Sequence, residues 1–183
     1  KKYISLAKKS AEIQISELKK IKKVLNNSFV KAVDLILNCK GKIIFAGIGK
    51  SGLIARKISA TFSSVGIPSF FCDPAQALHG DMGQIEKRDI LIIFSYSGNT
   101  SELNNMLKYA NRYRIKIIGV ASKSDSILLK ASDVKLLLPK VREADLTGMV
   151  PTTSTSITLL LGDCLATTVM QKRNFSKEKF SCL

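Results

Sequence analysis

Five short runs of this sequence are apolar almost from end to end, and two of them lead into glycine- and hydroxyl-rich loops that open helices. The runs are Lys42–Ala46, Ser69–Cys72, Asp89–Phe94, Lys116–Val120 and Val134–Leu138. A strand with one wet face alternates apolar and polar residues. A continuous run is what a strand needs when both faces of its sheet are covered. Helical patterns follow four of the runs, extending to about Val65, to about Arg112, over Ser126–Ala131 and, after a long loop, over Ser154–Met170. A loop through Pro74, His79 and Gly83 joins the second run to the third. Strands joined through helices make right-handed crossovers, hence a parallel sheet. The expected fold is therefore α/β: a three-layer, doubly wound, five-stranded parallel sheet flanked by helices. At 183 residues and 45% hydrophobic, the chain suits one domain with a sizeable core.

Residues 1–40 read as an N-terminal helical segment packing on the core, with residues 41–183 as the domain proper. Ile4, Leu6, Ile13, Ile15, Leu18, Ile21 and Val24 recur at helical intervals between lysines. Asn26-Asn27-Ser28 is a break with an N-cap candidate, Phe29–Leu37 resumes the helix, and Gly41 stops it. The apolar stripes here and after Pro151 suit packing on another subunit.

A net charge of +15 raises the question of nucleic acid. Much of the excess is lysine on the opening helices, without the arginine clusters and interleaved aromatics of a base-reading surface. The charge favours anionic metabolites, and no nucleic-acid partner is expected. Cys39, Cys72, Cys164 and Cys182 form no CxxC pair or metal-ligand spacing, and there is a single histidine. No metal is expected, and scattered cysteines suit a reducing cytoplasm. No apolar run reaches the roughly 18 residues of a membrane span, and no signal peptide is visible. No membrane partner is expected. A chain that opens on Lys1 is expected to have lost its native start.

Gly47-Ile48-Gly49-Lys50-Ser51-Gly52 fits GxGxxG between a strand and a helix. Small residues let backbone approach an anion, and the helix N-terminus offers N–H groups and a positive dipole end. Asp73 follows about where a dinucleotide fold places its ribose-binding acid, so a nicotinamide module competes. A P-loop is excluded, because Ile44 stands where its first glycine is required. The loop Ser95-Tyr96-Ser97-Gly98-Asn99-Thr100 decides against the dinucleotide. It adds hydroxyls and a glycine at a second strand-to-helix turn. A lone phosphate monoester needs such donors; helix capping needs only one.

On these residues the chain resembles the sugar isomerase (SIS) fold, and within it the D-arabinose 5-phosphate isomerase family. The carrying stretches are Gly47–Gly52 (GIGKSG), Ala75–Gly83 (AQALHGDMG), Ser95–Glu102 (SYSGNTSE) and Glu143 before Pro151–Ser154 (PTTS). The resemblance implies interconversion of D-ribulose 5-phosphate and D-arabinose 5-phosphate, the opening step towards the acidic sugar Kdo of bacterial surface polysaccharides. It implies no cofactor, and a homotetramer with sites at subunit interfaces. Gly49, Ser51, Ser95, Ser97 and Thr100 would hold the phosphate. Lys50, Glu102, Glu143 and His79 would match the catalytic positions.

The residue types fit that chemistry. Aldose–ketose isomerisation needs a base beside a carbonyl, stabilisation of an enediolate, and return of a proton to the neighbouring carbon. Glu102 or Glu143 could carry protons, Lys50 could neutralise developing charge, and His79 could serve as acid, base or hydrogen-bonding group. The alternative is a non-catalytic sugar-phosphate sensor with the same pocket, or an SIS isomerase for another sugar phosphate. Asn99 stands where the family often has an acid. The family also carries a further histidine after its last helix and commonly a pair of CBS domains. Neither lies within these residues, so the chain is expected to be a piece of a longer protein.

Overall fold

A computed structural model of the chain describes residues 2–145 and 147–174. In chain order it forms α1 (Lys2–Leu18), a 3-10 turn, α2 (Asn27–Leu37), β1 (Ile43–Gly47), α3 (Gly49–Ser64) and β2 (Ser69–Phe71). Two short 3-10 turns lead to β3 (Ile90–Phe94). A fourth turn, Ser101–Leu103, opens α4 (Asn104–Arg112), and β4 (Lys116–Ala121), α5 (Ile127–Ala131), β5 (Val134–Leu137) and α6 (Thr153–Lys172) follow. The five strands are all parallel, in the order β2-β1-β3-β4-β5.

The unbroken apolar runs have a direct explanation. Successive side chains of a strand point to opposite faces, and each face here has its own core. Ile43, Phe45, Ile90, Ile92, Phe94, Ile118 and Val120 share one buried cluster with residues of α2, α3 and α6. Ile44, Ala46, Leu91, Ile93, Ile117 and Ala121 share the other with residues of α4 and α5. Every residue of β1 and β3 therefore has a layer to enter, whereas the edge strand β5 alternates, with Lys135 and Leu137 exposed, because only one of its faces is fully covered.

Local signals place the helix boundaries. Asn26 caps α2, its side chain accepting the Ser28 N–H at 2.8 Å. Ser126 caps α5 in the same way through the Leu129 N–H. Strand β2 stops at Phe71, one residue before the expected end, although the Cys72 N–H still donates to the Phe45 carbonyl at 2.9 Å. Among the described residues no helix is long and apolar enough to cross a membrane. Cys182 lies outside the described residues.

The strand order places the site. The chain runs outward from β1 to β2, then returns past β1 to β3. Where order reverses in this way, the two following loops separate and leave a crevice beyond the carboxyl ends of the strands. Gly47 at the end of β1 lies in register with Phe94 at the end of β3. The GIGKSG and SYSGNT loops thus leave the sheet side by side. A dinucleotide-binding Rossmann sheet has a different order, 3-2-1-4-5-6. Asp73 serves its own loop, its Oδ1 accepting the Ala75 N–H at 2.9 Å.

Candidate active site

The first wall of the site is the start of α3. Gly49 takes a positive φ of 58° to turn the chain out of β1. A Cβ on Gly52 would lie 2.6 Å from the Gly47 carbonyl oxygen, so the helix sits directly on the strand end. Ile48 at the N-cap offers no side-chain acceptor. The first-turn N–H groups, which have no partner within a helix, remain available to an anion. Lys50 and Ser51 both line the cavity in front of them.

The second wall is the loop after β3. Ser95 is buried, and its Oγ lies 2.8 Å from the Thr100 Oγ1 and accepts the Gly98 N–H at 3.1 Å. Ser97 Oγ accepts the Asn99 N–H at 3.3 Å. These hydroxyls shape the loop, and Thr100 makes no capping bond to the helical turn that follows. Asn99 has a separate use: its Oδ1 accepts the Ile127 N–H at 2.9 Å and so helps to start α5.

The third wall is the segment between β5 and α6, which carries Glu143. Its Oε2 accepts the Thr152 N–H at 2.8 Å, the Thr152 hydroxyl at 3.0 Å and the Ser154 N–H at 3.2 Å. Thr152 Oγ1 in turn accepts the Ala144 N–H at 2.8 Å. Glu143 is thus the anionic cap of the last helix. Burial pushes its carboxyl pKa upward, but the donors of Ser154 and Thr152 outweigh that, and the net displacement is downward.

The three walls enclose a cavity of about 420 Å³, within the roughly 300–1,000 Å³ of small-ligand sites. Lys50, Ser51, Ser95, Ser97, Thr100 and Glu143 all line it. Among the described residues, Lys50 and Glu143 are its only charged lining groups. A cation, free helix N–H groups, several hydroxyls and a held carboxylate therefore face one cavity.

Residues 36–168 match the family model described as the SIS domain. The chain belongs to the SIS domain family. The arabinose 5-phosphate isomerase GutQ of Escherichia coli is 39% identical over 178 residues, covering 97% of this chain and 56% of that protein. GutQ of Salmonella typhi matches at the same 39%, with the same coverage. The chain therefore spans about half the length of the curated relatives it matches. A structure of an Escherichia coli CFT073 protein in complex with arabinose 5-phosphate superposes with a TM-score of 0.91 at 32% identity, covering 99% of this chain and 96% of the other.

Not every sequence-predicted residue lies on the wall of this SIS cavity. Gly49 does not line it; it turns the chain beside Lys50. His79 stands exposed at the end of the 3-10 turn Ala77–His79, and Glu102 stands exposed in the turn Ser101–Leu103. Glu102 bonds its own backbone N–H and the Ser101 hydroxyl, and both hold its carboxyl below the usual range. Neither His79 nor Glu102 is part of the lining within one chain. Conversely, Tyr96, Met149, Thr155 and Thr158 line the cavity and escaped sequence reasoning. Thr155 and Thr158 follow the PTTS stretch at helical spacing, a signal that was readable. Tyr96, between two serines, reads as an ordinary core-facing aromatic.

Proposed function

We propose that the chain is the catalytic domain of an aldose–ketose isomerase acting on a five-carbon sugar phosphate, interconverting D-ribulose 5-phosphate and D-arabinose 5-phosphate. The observation that carries this reading is the convergence of Lys50, Ser51, Ser95, Ser97, Thr100 and Glu143 on one cavity at the β1/β3 crevice. Relatives named arabinose 5-phosphate isomerase, matched over nearly the whole chain, support the sugar. So does the superposable neighbour that holds arabinose 5-phosphate. The product fits the opening step towards Kdo, in the cytoplasm.

The phosphate rests on the hydroxyls of Ser51, Ser95, Ser97 and Thr100, and on the α3 N–H groups beside Gly49. A dianion there gains charge-assisted hydrogen bonds and the favourable end of the α3 dipole. The bound phosphate leaves the carbonyl end of the sugar to the opposite wall. A carboxylate or imidazole removes the proton from the carbon beside the carbonyl. The resulting enediolate carries negative charge, which the Lys50 ammonium offsets. The proton returns to the neighbouring carbon while the hydroxyl proton of the first carbon passes to the former carbonyl oxygen, so carbonyl and hydroxyl exchange places with no net loss of atoms. No cofactor takes part in this scheme.

His79 and Glu102 join the site in a homotetramer whose cavities open at subunit interfaces. Exposed apolar residues support that assembly. On α1, Tyr3 is 84%, Ile4 62% and Ile15 61% exposed, while Leu53 and Met149, near the cavity, are 69% and 77%. Residues 1–40 then act as a helical segment serving both the core and its neighbours.

The deciding experiment is interconversion of the two pentose phosphates in D2O by the full-length protein, followed by NMR. The expected result is approach to the same mixture from either side, with deuterium entering at the carbon that receives the proton. Absence of interconversion at millimolar substrate would defeat the reading.

A further inference from the structure

The segment that delivers Glu143 to the cavity lies beyond the end of the sheet. Strand β5 ends at Leu137, and the Leu138 N–H makes one last bond, to the Ala121 carbonyl at 2.8 Å. Beyond it, side chains from distant parts of the chain take over. The Tyr96 hydroxyl donates to the Pro139 carbonyl at 3.2 Å and accepts the Val141 N–H at 3.1 Å. From α1, Glu17 Oε2 accepts the Arg142 N–H at 2.9 Å. The Lys20 ammonium, itself 2.6 Å from Glu17, donates to the Lys140 carbonyl at 3.3 Å. Glu143 is the next residue.

We infer that Tyr96 is a positioning residue: its phenol fixes the backbone of residues 139–141, and so Glu143, at a set distance from the hydroxyl loop on which Tyr96 itself stands. Ser95 and Ser97 flank it in the chain, and it lines the same cavity as they and Glu143 do. Its own backbone is fixed in turn, the carbonyl accepting the Ser122 N–H at 2.8 Å and the Ser122 hydroxyl at 2.7 Å. One side chain therefore sets the span between the group that holds the phosphate and the carboxylate at the far wall. Burial raises the phenol pKa, which keeps the donor proton in place at neutral pH. Glu17 and Lys20 brace the same backbone from outside. On this account the N-terminal helix belongs to the architecture of the site.

This inference rests on the isomerase reading, and its test separates the two. In the full-length protein, Tyr96→Phe keeps the ring and removes both hydrogen bonds. A displacement of about 1 Å in a catalytic group can cost on the order of 100-fold in rate. The expected result is a kcat lower by about ten-fold or more, with KM for ribulose 5-phosphate within about two-fold. Combined with Glu143→Gln, it should add no loss beyond that of Glu143→Gln alone. Glu17→Ala should show the same pattern at smaller size. An unchanged kcat, a raised KM at constant kcat, or losses that multiply with Glu143→Gln would overturn the inference. If the unsubstituted protein does not interconvert the sugars, the isomerase reading fails instead, and amide hydrogen exchange judges Tyr96. Faster exchange at Val141, Ala144, Thr152 and Ser154 in Tyr96→Phe is then expected, and unchanged protection at Thr152 and Ser154 overturns the role.

Discussion

The Asp89 carboxylate is wholly buried and holds Lys42 twice, accepting its backbone N–H at 2.7 Å and lying 3.2 Å from its ammonium. Its second oxygen accepts the Glu86 N–H at 2.8 Å. One side chain thus joins the entries of β1 and β3, the two strands whose far ends carry the candidate site. Gly41 is a consequence, since a Cβ there would lie 2.1 Å from Asp89 Oδ1. Asp89→Ala leaves two N–H groups without their acceptor. Each such loss costs about 1–3 kcal/mol, so a stability loss of about 2–6 kcal/mol is expected. Urea denaturation with an unchanged m-value checks it; a loss under about 1 kcal/mol would assign those N–H groups to water.

Helices α3 and α6 meet at a glycine. A Cβ on Gly162 would stand 2.1 Å from Ile58 Cδ1 and 2.6 Å from its Cγ1. Ile58 is fully buried, so it has nowhere to turn. Gly162→Ala gains about 1 kcal/mol of helix propensity but overpacks the core at about 1–3 kcal/mol. The second effect wins, and a lower melting temperature is expected. A rise would mean that Ile58 has a free rotamer.

Acid should act on the last helix through Glu143. Its carboxyl pKa is depressed in the folded protein, because the donors of Ser154 and Thr152 overcome the upward push of burial. A depressed carboxyl pKa stabilises the fold above its unfolded value of about 4.3. That contribution is lost as pH falls through the folded value. Glu17 and Asp133 are also lowered, so the raw acid curve mixes several groups. The difference between wild type and Glu143→Gln isolates one. Wild type should be the more stable at pH 7, and the gap should close as pH drops below about 4. A gap constant with pH would show that the amide caps α6 as well as the carboxylate does.

Most of the fold was legible because its signals are local. Five apolar runs between helical patterns specify covered parallel strands, and both glycine loops sit at strand ends where the sheet order reverses. Among the residues that line the cavity, Ser95, Ser97 and Thr100 stood out as hydroxyls beyond the needs of capping, and Lys50 and Ser51 by their place in the glycine turn at the end of β1. Glu143 was singled out only through the family resemblance, and its bonds to Thr152 and Ser154 were not legible at all. Those link two ends of an irregular segment that has no period to read. Tyr96 was missed for a related reason: its partners Pro139 and Val141 lie more than 40 residues away, joined to it only by tertiary geometry. His79 and Glu102 mark the opposite limit. Their motifs stand out in sequence, yet within one chain they lie off the cavity wall.

Two glycines with the same backbone conformation should respond differently to a methyl group. Gly49 has φ 58° and Gly98 has φ 69°. Both substitutions to alanine incur the left-handed strain of about 1–2 kcal/mol. At Gly49 a Cβ meets nothing among the described residues within 4 Å, whereas at Gly98 it would lie 2.3 Å from Ser126 Oγ and 2.4 Å from its Cβ. Ser126 is buried and caps α5, and the Gly98 carbonyl accepts the Leu128 N–H at 3.0 Å. The clash therefore reaches both the hydroxyl loop after β3 and the start of α5. Gly98→Ala is expected to be at least about 1 kcal/mol less stable than Gly49→Ala, from the added overpacking. It should also weaken competition by inorganic phosphate several-fold, because Ser95 and Ser97 lose their set positions. Thermal denaturation and phosphate inhibition of the full-length protein measure both effects. Equal losses in the two variants would show that backbone strain alone governs these turns and that Ser126 yields freely.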